Sequence, residues 1–347
     1  MRFVVTGGMG FFGSILCEHL VDRGHDVLSL DLLADTNSAR RYKNIQLDLR
    51  DFEALKAAVV DFERDGKVNA IFHVAALLAH VTADPNELWS ANVDGTKNVM
   101  ECAKQLSIAR VVFTSTNCVF STGFTEPVNE QTATQPIEIY GKSKLAAEEI
   151  ITSYKDVSSV IVRCPTIIAA GRLGLLTILF DFVREGRRLY VVGDGSNRYS
   201  FISADDLADA CLLAAQSSKS GLYNIGSDNV PSMRQLYSSL MQYAGKKPRI
   251  VSIPEAPTVM ALKILNKLGL SPLGPYHYRM LAANFVFDTS KIKSEIEWRP
   301  TKTNTEILCS AYQYYIDNLD SINNATNVSA HHSKAKAGIL NLLRLIS

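Results

Sequence analysis

The stretch Thr6-Gly7-Gly8-Met9-Gly10-Phe11-Phe12-Gly13 follows the apolar run RFVVT at 2–6 and opens a segment with helical spacing at Ile15, Leu16, His19 and Leu20. Glycines between a strand and a helix have physical work to do. They permit a tight turn, let the backbone approach a pyrophosphate, and let helix and strand pack closely, while the free N–H groups at the helix start face the phosphates. The glycines fall at 7, 8, 10 and 13, so the strict G-x-G-x-x-G pattern is absent and the strand–turn–helix setting carries the reading. Gly7, Gly10, Phe11, Phe12 and Gly13 are the phosphate-contacting candidates. Asp31 ends the next β-rich run, DVLSL at 26–30, where a carboxylate can accept hydrogen bonds from the adenosine ribose hydroxyls. A 2′-phosphate about 4 Å from that carboxylate would cost about 4 kcal/mol at an effective dielectric near 20, which favours NAD over NADP. Arg40 and Arg41 are the residues that could rescue NADP; the plain alternative for Asp31 is a solvated loop acid.

Outward from this turn, short β-branched runs alternate with helical patterns: NIQLDL at 44–49, NAIFHVAA at 69–76 and RVVFTST at 110–116. Between them Phe52, Leu55, Val59 and Phe62 form one apolar stripe. The alternation predicts an α/β fold with a doubly wound parallel sheet, and the continuous apolar strands suit a sheet covered on both faces. A helix is expected from about Tyr140 to Tyr154, then a strand at 157–164. Beyond residue 170 the elements shorten: a helix at 175–186, a strand at RLYVV, and a helix opening at Ser203, with Asp206 three positions on as in a capping box. The expected organisation is a Rossmann domain over 1–170, with later segments returning to it, and a smaller mixed α/β substrate lobe over 171–318. A polar linker and C-terminal amphipathic helix would occupy 319–347.

The chain has 347 residues, 36 Lys+Arg against 35 Asp+Glu, and a formal charge of +1. Balanced charge without a basic block argues against nucleic acid as partner. The six cysteines at 17, 102, 118, 164, 211 and 309 include no CxxC pair, which argues against a zinc ribbon or disulfide framework and suits a reducing cytosol. No metal site is expected. The start MRFVVTGG contains no signal-like apolar region, and no apolar run approaches about 18 residues, so a membrane span is not expected.

Tyr140-Gly141-Lys142-Ser143-Lys144 puts a phenol and an ammonium four positions apart at a helix start, on one face. A phenol titrating near 10 needs about 4 kcal/mol to act as a base near pH 7. An ammonium about 4 Å away supplies roughly that at an effective dielectric of 20, and an oxidised nicotinamide adds more. YxxxK alone is common, and an isolated match is more often a surface pair. Its place after the fifth strand of a Rossmann pattern changes that reading.

Taken together, the chain resembles an extended short-chain dehydrogenase/reductase of the NAD-dependent epimerase/dehydratase family. The resemblance rests on TGGMGFFG at 6–13, Asp31, DLRD at 48–51, HVAA at 73–76, NVDGT at 92–96, FTSTNCVF at 113–120, YGKSK at 140–144, GDGSNRYSFISADDLADA at 193–210 and FDTSKIKSEIEWRP at 287–300. It implies Tyr140 as general acid/base and Lys144 as its partner and nicotinamide-ribose ligand. Thr116 stands for the family's Ser/Thr on the reacting oxygen, with Ser115 the runner-up by one register. Asp48 and Leu49 would lie at the adenine, and Ala75 and Ala76 along the pyrophosphate and nicotinamide edge. His73 and Asn92 could equally be a buried imidazole and a helix-stabilising amide. In the second half, Arg198 would grip a substrate diphosphate, its plain alternative being a salt bridge to Asp205 or Asp206. Arg279, Thr166 and Cys118 complete the substrate-binding candidates.

The resemblance also sorts the chemistry. Dehydratases of the family carry an acid after the catalytic Thr, whereas Asn117 and Cys118 follow it here, so a nucleotide-sugar epimerase is the leading expectation. Thr166 departs from the epimerase pattern, which has Asn there; with RCPTIIAAGR and GDGSNRYSF it also resembles the 3β-hydroxysteroid dehydrogenase branch, which takes sterol-like alcohols. Cys118 could be an acid/base thiol or a small buried hydrophobe. A catalytically silent NAD-binding regulatory module is the third reading, opposed by an intact Thr116, Tyr140 and Lys144. Family members are usually homodimers. The stripe Ile339, Leu342, Leu343 and Ile346 would dock on the lobe or a second subunit rather than on a membrane.

Overall fold

The computed structural model describes residues 1–324 except 36, 38, 79–81, 83, 122, 173, 175, 268–279 and 282. Its strands are β1 (Arg2–Thr6), β2 (Asp26–Asp31), β3 (Lys43–Gln46), β4 (Ala70–His73), β5 (Val111–Thr116), β6 (Ser159–Cys164), β7 (Thr166–Ile168), β8 (Leu189–Val192), β9 (Phe201–Ser203), β10 (Gly221–Asn224) and β11 (Ile250–Ile253). The helices are α1 (Phe11–Asp22), α2 (Phe52–Glu63), α3 (Pro85–Gln105), α4 (Ile139–Ser153), α5 (Leu176–Arg184), α6 (Ala204–Gln216), α7 (Met233–Tyr243), α8 (Glu255–Lys267), α9 (Ser290–Glu295), α10 (Asn304–Asp317) and α11 (Leu319–Asn324). A 3₁₀ turn occupies Asn117–Val119.

Seven parallel strands form one sheet in the order β10-β6-β5-β4-β1-β2-β3, which is the doubly wound Rossmann sheet. Both of its faces are covered, as the unbroken apolar strands require. On one face Leu16, Cys17 and Leu20 of α1 meet Leu207, Ala210 and Cys211 of α6, with Ile292, Ile296 and Trp298 closing the layer. On the other face lie Leu55 and Val59 of α2, Val99 and Met100 of α3, and Ala147 and Ile151 of α4. The order reverses between β1 and β4, and the crevice outside the C-terminal strand ends is where such sheets take their ligands. The carriers of the site motifs end at that edge: Thr6 on β1, Asp31 on β2, His73 on β4, Thr116 on β5 and Cys164 on β6.

The smaller body packs α5, α7 and α10 around β8 and β11 through Phe180, Val183, Leu236, Leu240, Leu308, Tyr312 and Tyr315. β7 and β9 form a two-stranded parallel pair just beyond the main sheet. Although they lie after residue 170, α6 and β10 belong to the large sheet and its cover.

Two local expectations are corrected. Ser203 caps α6 by accepting the Asp206 N–H at 3.0 Å, but the Asp206 carboxylate does not return to the cap; it holds Thr301 and Lys302. The polar segment from 319 begins as α11, with Leu319 and Ile322 packed on the lobe core, instead of a linker. The stripe at 338–346 lies outside the described residues. None of the six cysteines is joined in a disulfide, and no described helix is long and apolar enough to cross a membrane.

Candidate active site

The glycine-rich turn is built so tightly that side chains are excluded from it. Gly7 takes φ +74°, and a Cβ there would stand 2.7 Å from the Cα of Ala75, at the end of β4. A Cβ on Gly13 would stand 2.0 Å from the Gly7 carbonyl oxygen. The turn closes through the Gly10 N–H on that carbonyl at 3.0 Å, and α1 starts at Gly10 with no side-chain cap. A helix start left uncapped, with its donors at the crevice, is chemically suited to a diphosphate. Asp31 accepts the Met9 N–H on one oxygen and the Leu33 N–H on the other, both at 2.9 Å. Two such bonds leave further acceptor capacity for ribose hydroxyls. Arg40 pairs with Asp35 and Arg41 with Glu18 and Asp22, so both candidates for a 2′-phosphate are engaged. Asp48 is tied to Arg50, which holds its carboxyl below the usual range, and Leu49 is buried under Gly95. The residues present therefore fit a dinucleotide.

On the next strand Ser115 and Thr116 have different surroundings. Adjacent strand residues face opposite sides. Ser115 donates its hydroxyl into the core, to Glu148, which is itself clamped by Arg163 through Nε at 2.9 Å and Nη2 at 2.6 Å. Thr116 faces the other way, accepts the Cys118 N–H at 3.1 Å, and stands near enough to Tyr140 to lower its phenol. Gly141 makes this approach possible: a Cβ there would stand 2.1 Å from the Cys118 carbonyl oxygen. The first turn of α4 thus rests directly on the 3₁₀ turn that follows Thr116.

Burial acts on both members of the Tyr140–Lys144 pair. It pushes the phenol up, helped by the thiols of Cys118 and Cys164, while Arg172 and Thr116 pull it down. Lys144, 2% exposed, is lowered to about 7 by desolvation, and its Nζ lies 3.8 Å from the Phe113 ring centroid. Spacing alone predicts an ammonium depressing a phenol. In the folded chain desolvation is the largest effect on each, and the groups that lower the phenol are Arg172 and Thr116.

His73 and Asn92 knit the strand ends together. Thr96 spends its hydroxyl proton on the Asn92 carbonyl at 2.6 Å, so the His73 Nε2 at 2.9 Å must be the donor to Thr96. Nδ1 therefore accepts from Thr6, 2.8 Å away, and the Thr6 oxygen receives the Ala75 N–H at 3.3 Å. Burial and the charge of Lys144 lower His73 to about 3, which keeps this neutral tautomer. Asn92 grips the backbone of Leu77 at both ends, at 2.7 and 3.0 Å, and donates to Ser143 of α4 at 2.9 Å. One amide thus fixes the loop carrying Ala75 and Ala76 relative to the helix carrying Tyr140.

From the smaller body come Thr166 and Tyr199, whose hydroxyls lie 3.2 Å apart, and Asn117 donates to Tyr199 at 2.8 Å. Arg198 precedes Tyr199 in an extended segment and is exposed, while Tyr199 is buried. Arg198 does not pair with Asp205 or Asp206, which hold Lys302 and the 301–302 backbone instead. Cys118 is partly buried beside Tyr140, and Arg279 lies outside the described residues. Sequence reasoning used Asn117 only for its lack of charge and gave no role to Tyr199, Glu148, Arg163 or Arg172, because their significance depends on contacts between distant segments. No group of three or more His, Cys, Asp or Glu side chains among the described residues could hold a metal ion.

The chain is 33% identical over 343 residues to the uncharacterized protein y4nG of Sinorhizobium fredii, covering 98% of this chain and 85% of the relative. It is 29% identical over 264 residues to the UDP-glucose 4-epimerase of Mycolicibacterium smegmatis, covering 71% and 83% of the two chains. The fold matches the Bordetella bronchiseptica enzyme WbmG, crystallised with NAD and UDP, with a TM-score of 0.72 at 21% identity over 91% of this chain and 94% of that one. The profile of the NAD dependent epimerase/dehydratase family matches residues 3–226. This chain belongs to the NAD-dependent epimerase/dehydratase family, as an enzyme whose cofactor is NAD.

Proposed function

We propose that the protein epimerises a nucleotide-sugar through a transient ketone. The observation that carries this reading is the setting of Tyr140: Gly141 lets the first turn of its helix rest on the turn after Thr116, and the residues of that turn, Asn117 and Cys118, offer no carboxylate to expel water. In this reading Tyr140 takes the proton of the reacting hydroxyl as the alcohol becomes a ketone, and returns it when the alcohol reforms with inverted configuration. Bound NAD supplies the hydride acceptor and donor, and its positively charged ring favours the phenolate. Thr116 donates to the reacting oxygen, exchanging its long 3.3 Å bond to the Asn117 side chain for a substrate contact. Lys144 holds the nicotinamide ribose.

The cofactor lies along Gly7, Gly10, Phe11, Phe12 and Gly13, with Asp31 at the adenosine ribose, Asp48 and Leu49 at the adenine, and Ala75 and Ala76 at the nicotinamide half. Thr166 and Cys118 meet the sugar at the border of the 171–318 lobe, the exposed Arg198 meets the diphosphate from the outer side, and the relatives' UDP-glucose and UDP support that substrate class. Homodimerisation in the cytoplasm belongs to the same reading; Trp89, 38% exposed on α3, is available to such an interface.

The test is to denature purified protein, identify the released dinucleotide, and incubate native enzyme with UDP-, GDP-, CDP- and dTDP-sugars without added cofactor. Epimer formation without net NADH is expected, and Tyr140→Phe should lose most of it while still binding NAD. Cofactor-dependent oxidation of a hydroxysteroid with no sugar turnover would sink the proposal in favour of the 3β-hydroxysteroid dehydrogenase reading. No turnover of either class, with Y140F indistinguishable, would favour a silent NAD-binding module.

A further inference from the structure

Arg172 stands against Phe11, the first residue of the helix that follows the glycine-rich turn. Gly171, at φ +82°, takes a left-handed conformation that glycine adopts without strain, and the turn closes through the Arg172 N–H on the Ala169 carbonyl at 3.1 Å. The guanidinium is then held from two directions. Nη1 donates to the Ile167 carbonyl, and Cζ lies 5.4 Å from the centroid of the Phe11 ring. Its titratable neighbours are Cys164, Tyr140 and Tyr199, with no carboxylate among them. The other arginines around the strand ends are engaged, Arg40 with Asp35, Arg41 with Glu18 and Asp22, Arg50 with Asp48, and Arg163 with Glu148.

A half-buried cation with no counter-charge beside it is a ready partner for a bound anion. Phe11 is the first residue of α1, whose N-terminal donors amount to about half a positive charge. A dinucleotide diphosphate carries two negative charges, so the helix start leaves most of that charge unmet. We propose that Arg172 grips the diphosphate of bound NAD, meeting the charge that the glycine-rich turn and α1 leave over. The guanidinium suits the task because its planar donor fork fits phosphate oxygens and it is fully charged at any working pH. The proposal rests on NAD being the cofactor and is independent of which substrate is epimerised.

The same chemistry could serve the diphosphate of a sugar nucleotide, so the experiment separates the two. Wild type, Arg172→Met and Arg172→Lys, stripped of dinucleotide, are titrated calorimetrically with NAD and with ADP-ribose, which keeps the diphosphate and lacks nicotinamide. UDP is then titrated into each protein saturated with NAD. R172M should weaken NAD and ADP-ribose alike, by roughly ten- to a hundredfold, as for loss of a charge-assisted hydrogen bond. R172K should recover part of that loss, and UDP affinity should stay within about twofold of wild type. The NAD affinity of wild type should also fall more steeply with salt than that of R172M. Should R172M fail to fold, as judged by circular dichroism and melting without ligand, R172K alone must still weaken NAD severalfold. NAD affinity unchanged in the variants overturns the proposal. So does a loss on UDP that equals or exceeds the loss on NAD.

Discussion

Replacing Gly141 by alanine separates what the helix wants from what the site needs. In an ordinary helix interior the change would stabilise by about 1 kcal/mol through backbone entropy. Here the new methyl would stand 2.1 Å from the Cys118 carbonyl oxygen and 2.9 Å from its carbon. Restoring ordinary contact needs a retreat of about 1 Å between the first turn of α4 and the turn after β5, at an overpacking cost of roughly 1–3 kcal/mol. The two terms largely cancel in stability, so the melting temperature should fall by no more than a few degrees. Activity has no such compensation. Tyr140 rides on α4 and Thr116 ends β5, so the retreat widens the distance between their side chains. A misplacement of about 1 Å costs on the order of a hundredfold in rate. The assay is turnover of whichever sugar nucleotide the panel identifies, with kcat and KM measured separately and melting followed alongside. Gly95→Ala in α3 is the control, because a Cβ there would meet Leu49 at an ordinary 3.4 Å; it should keep kcat and hold or raise the melting temperature. A G141A enzyme with undiminished kcat and a raised melting temperature would refute the reasoning, since it would mean that the Cys118 contact does not set the distance from Tyr140 to Thr116.

Three further outcomes follow from the same structure. Glu148→Gln leaves Arg163, 5% exposed, without its counter-ion and should cost about 3–5 kcal/mol in urea unfolding, whereas replacing both partners by apolar residues of similar volume should cost much less. Because His73 is held at about 3 against an ordinary value near 6.5, the unfolded state carries the extra proton between those values and stability falls as pH drops through that window. Comparing denaturant midpoints of wild type and His73→Gln from pH 6.5 to 4 should show the wild type losing up to about 1.4 kcal/mol more per pH unit; parallel slopes would contradict the assignment. Asp31→Asn should weaken NAD by about tenfold or more and narrow the preference over NADP without inverting it, since Arg40 and Arg41 remain in their ion pairs. Calorimetry with both dinucleotides checks this, and an unchanged ratio would show that the carboxylate does not read the ribose.

What the sequence made legible follows periodicity and local chemistry. The first strand, its glycine turn and α1, the stripe of α2, and the helix from Tyr140 onward lie within a residue or two of their expected positions, because each is specified by neighbours in the chain. Strand ends were read less well: NIQLDL pairs only as far as Gln46 and NAIFHVAA only as far as His73. At both places the chain leaves the sheet to build the crevice. After Gln46 the Leu47 N–H turns back to the Asp31 carbonyl, and after His73 the Ala75 N–H goes to the Thr6 side chain. Apolar pattern cannot report such an exit, because these residues remain half-buried once they leave the ladder.

The site divides along the same line. Tyr140, Lys144, Thr116 and Asp31 were readable because their residue type, spacing and place after a strand all point the same way. Choosing between Ser115 and Thr116 required knowing which face of β5 meets Glu148, and a one-residue slip reverses every such choice. Arg198 and Tyr199 repeat the problem in the smaller body: adjacent residues of an extended segment face opposite ways, and it is the tyrosine that reaches Asn117 and Thr166. Arg172 was invisible for a different reason. Its direction is set by a left-handed glycine, and its significance by a phenylalanine 161 positions earlier in the chain. Sequence pattern therefore locates the groups whose chemistry is intrinsic, a phenol, an ammonium or a carboxylate at a strand end. The groups that set charge balance and distance, Gly141, Asn92, Glu148 and Arg172, act through contacts between segments, and they are where relatives sharing the same motifs can diverge in substrate and in how tightly they hold NAD.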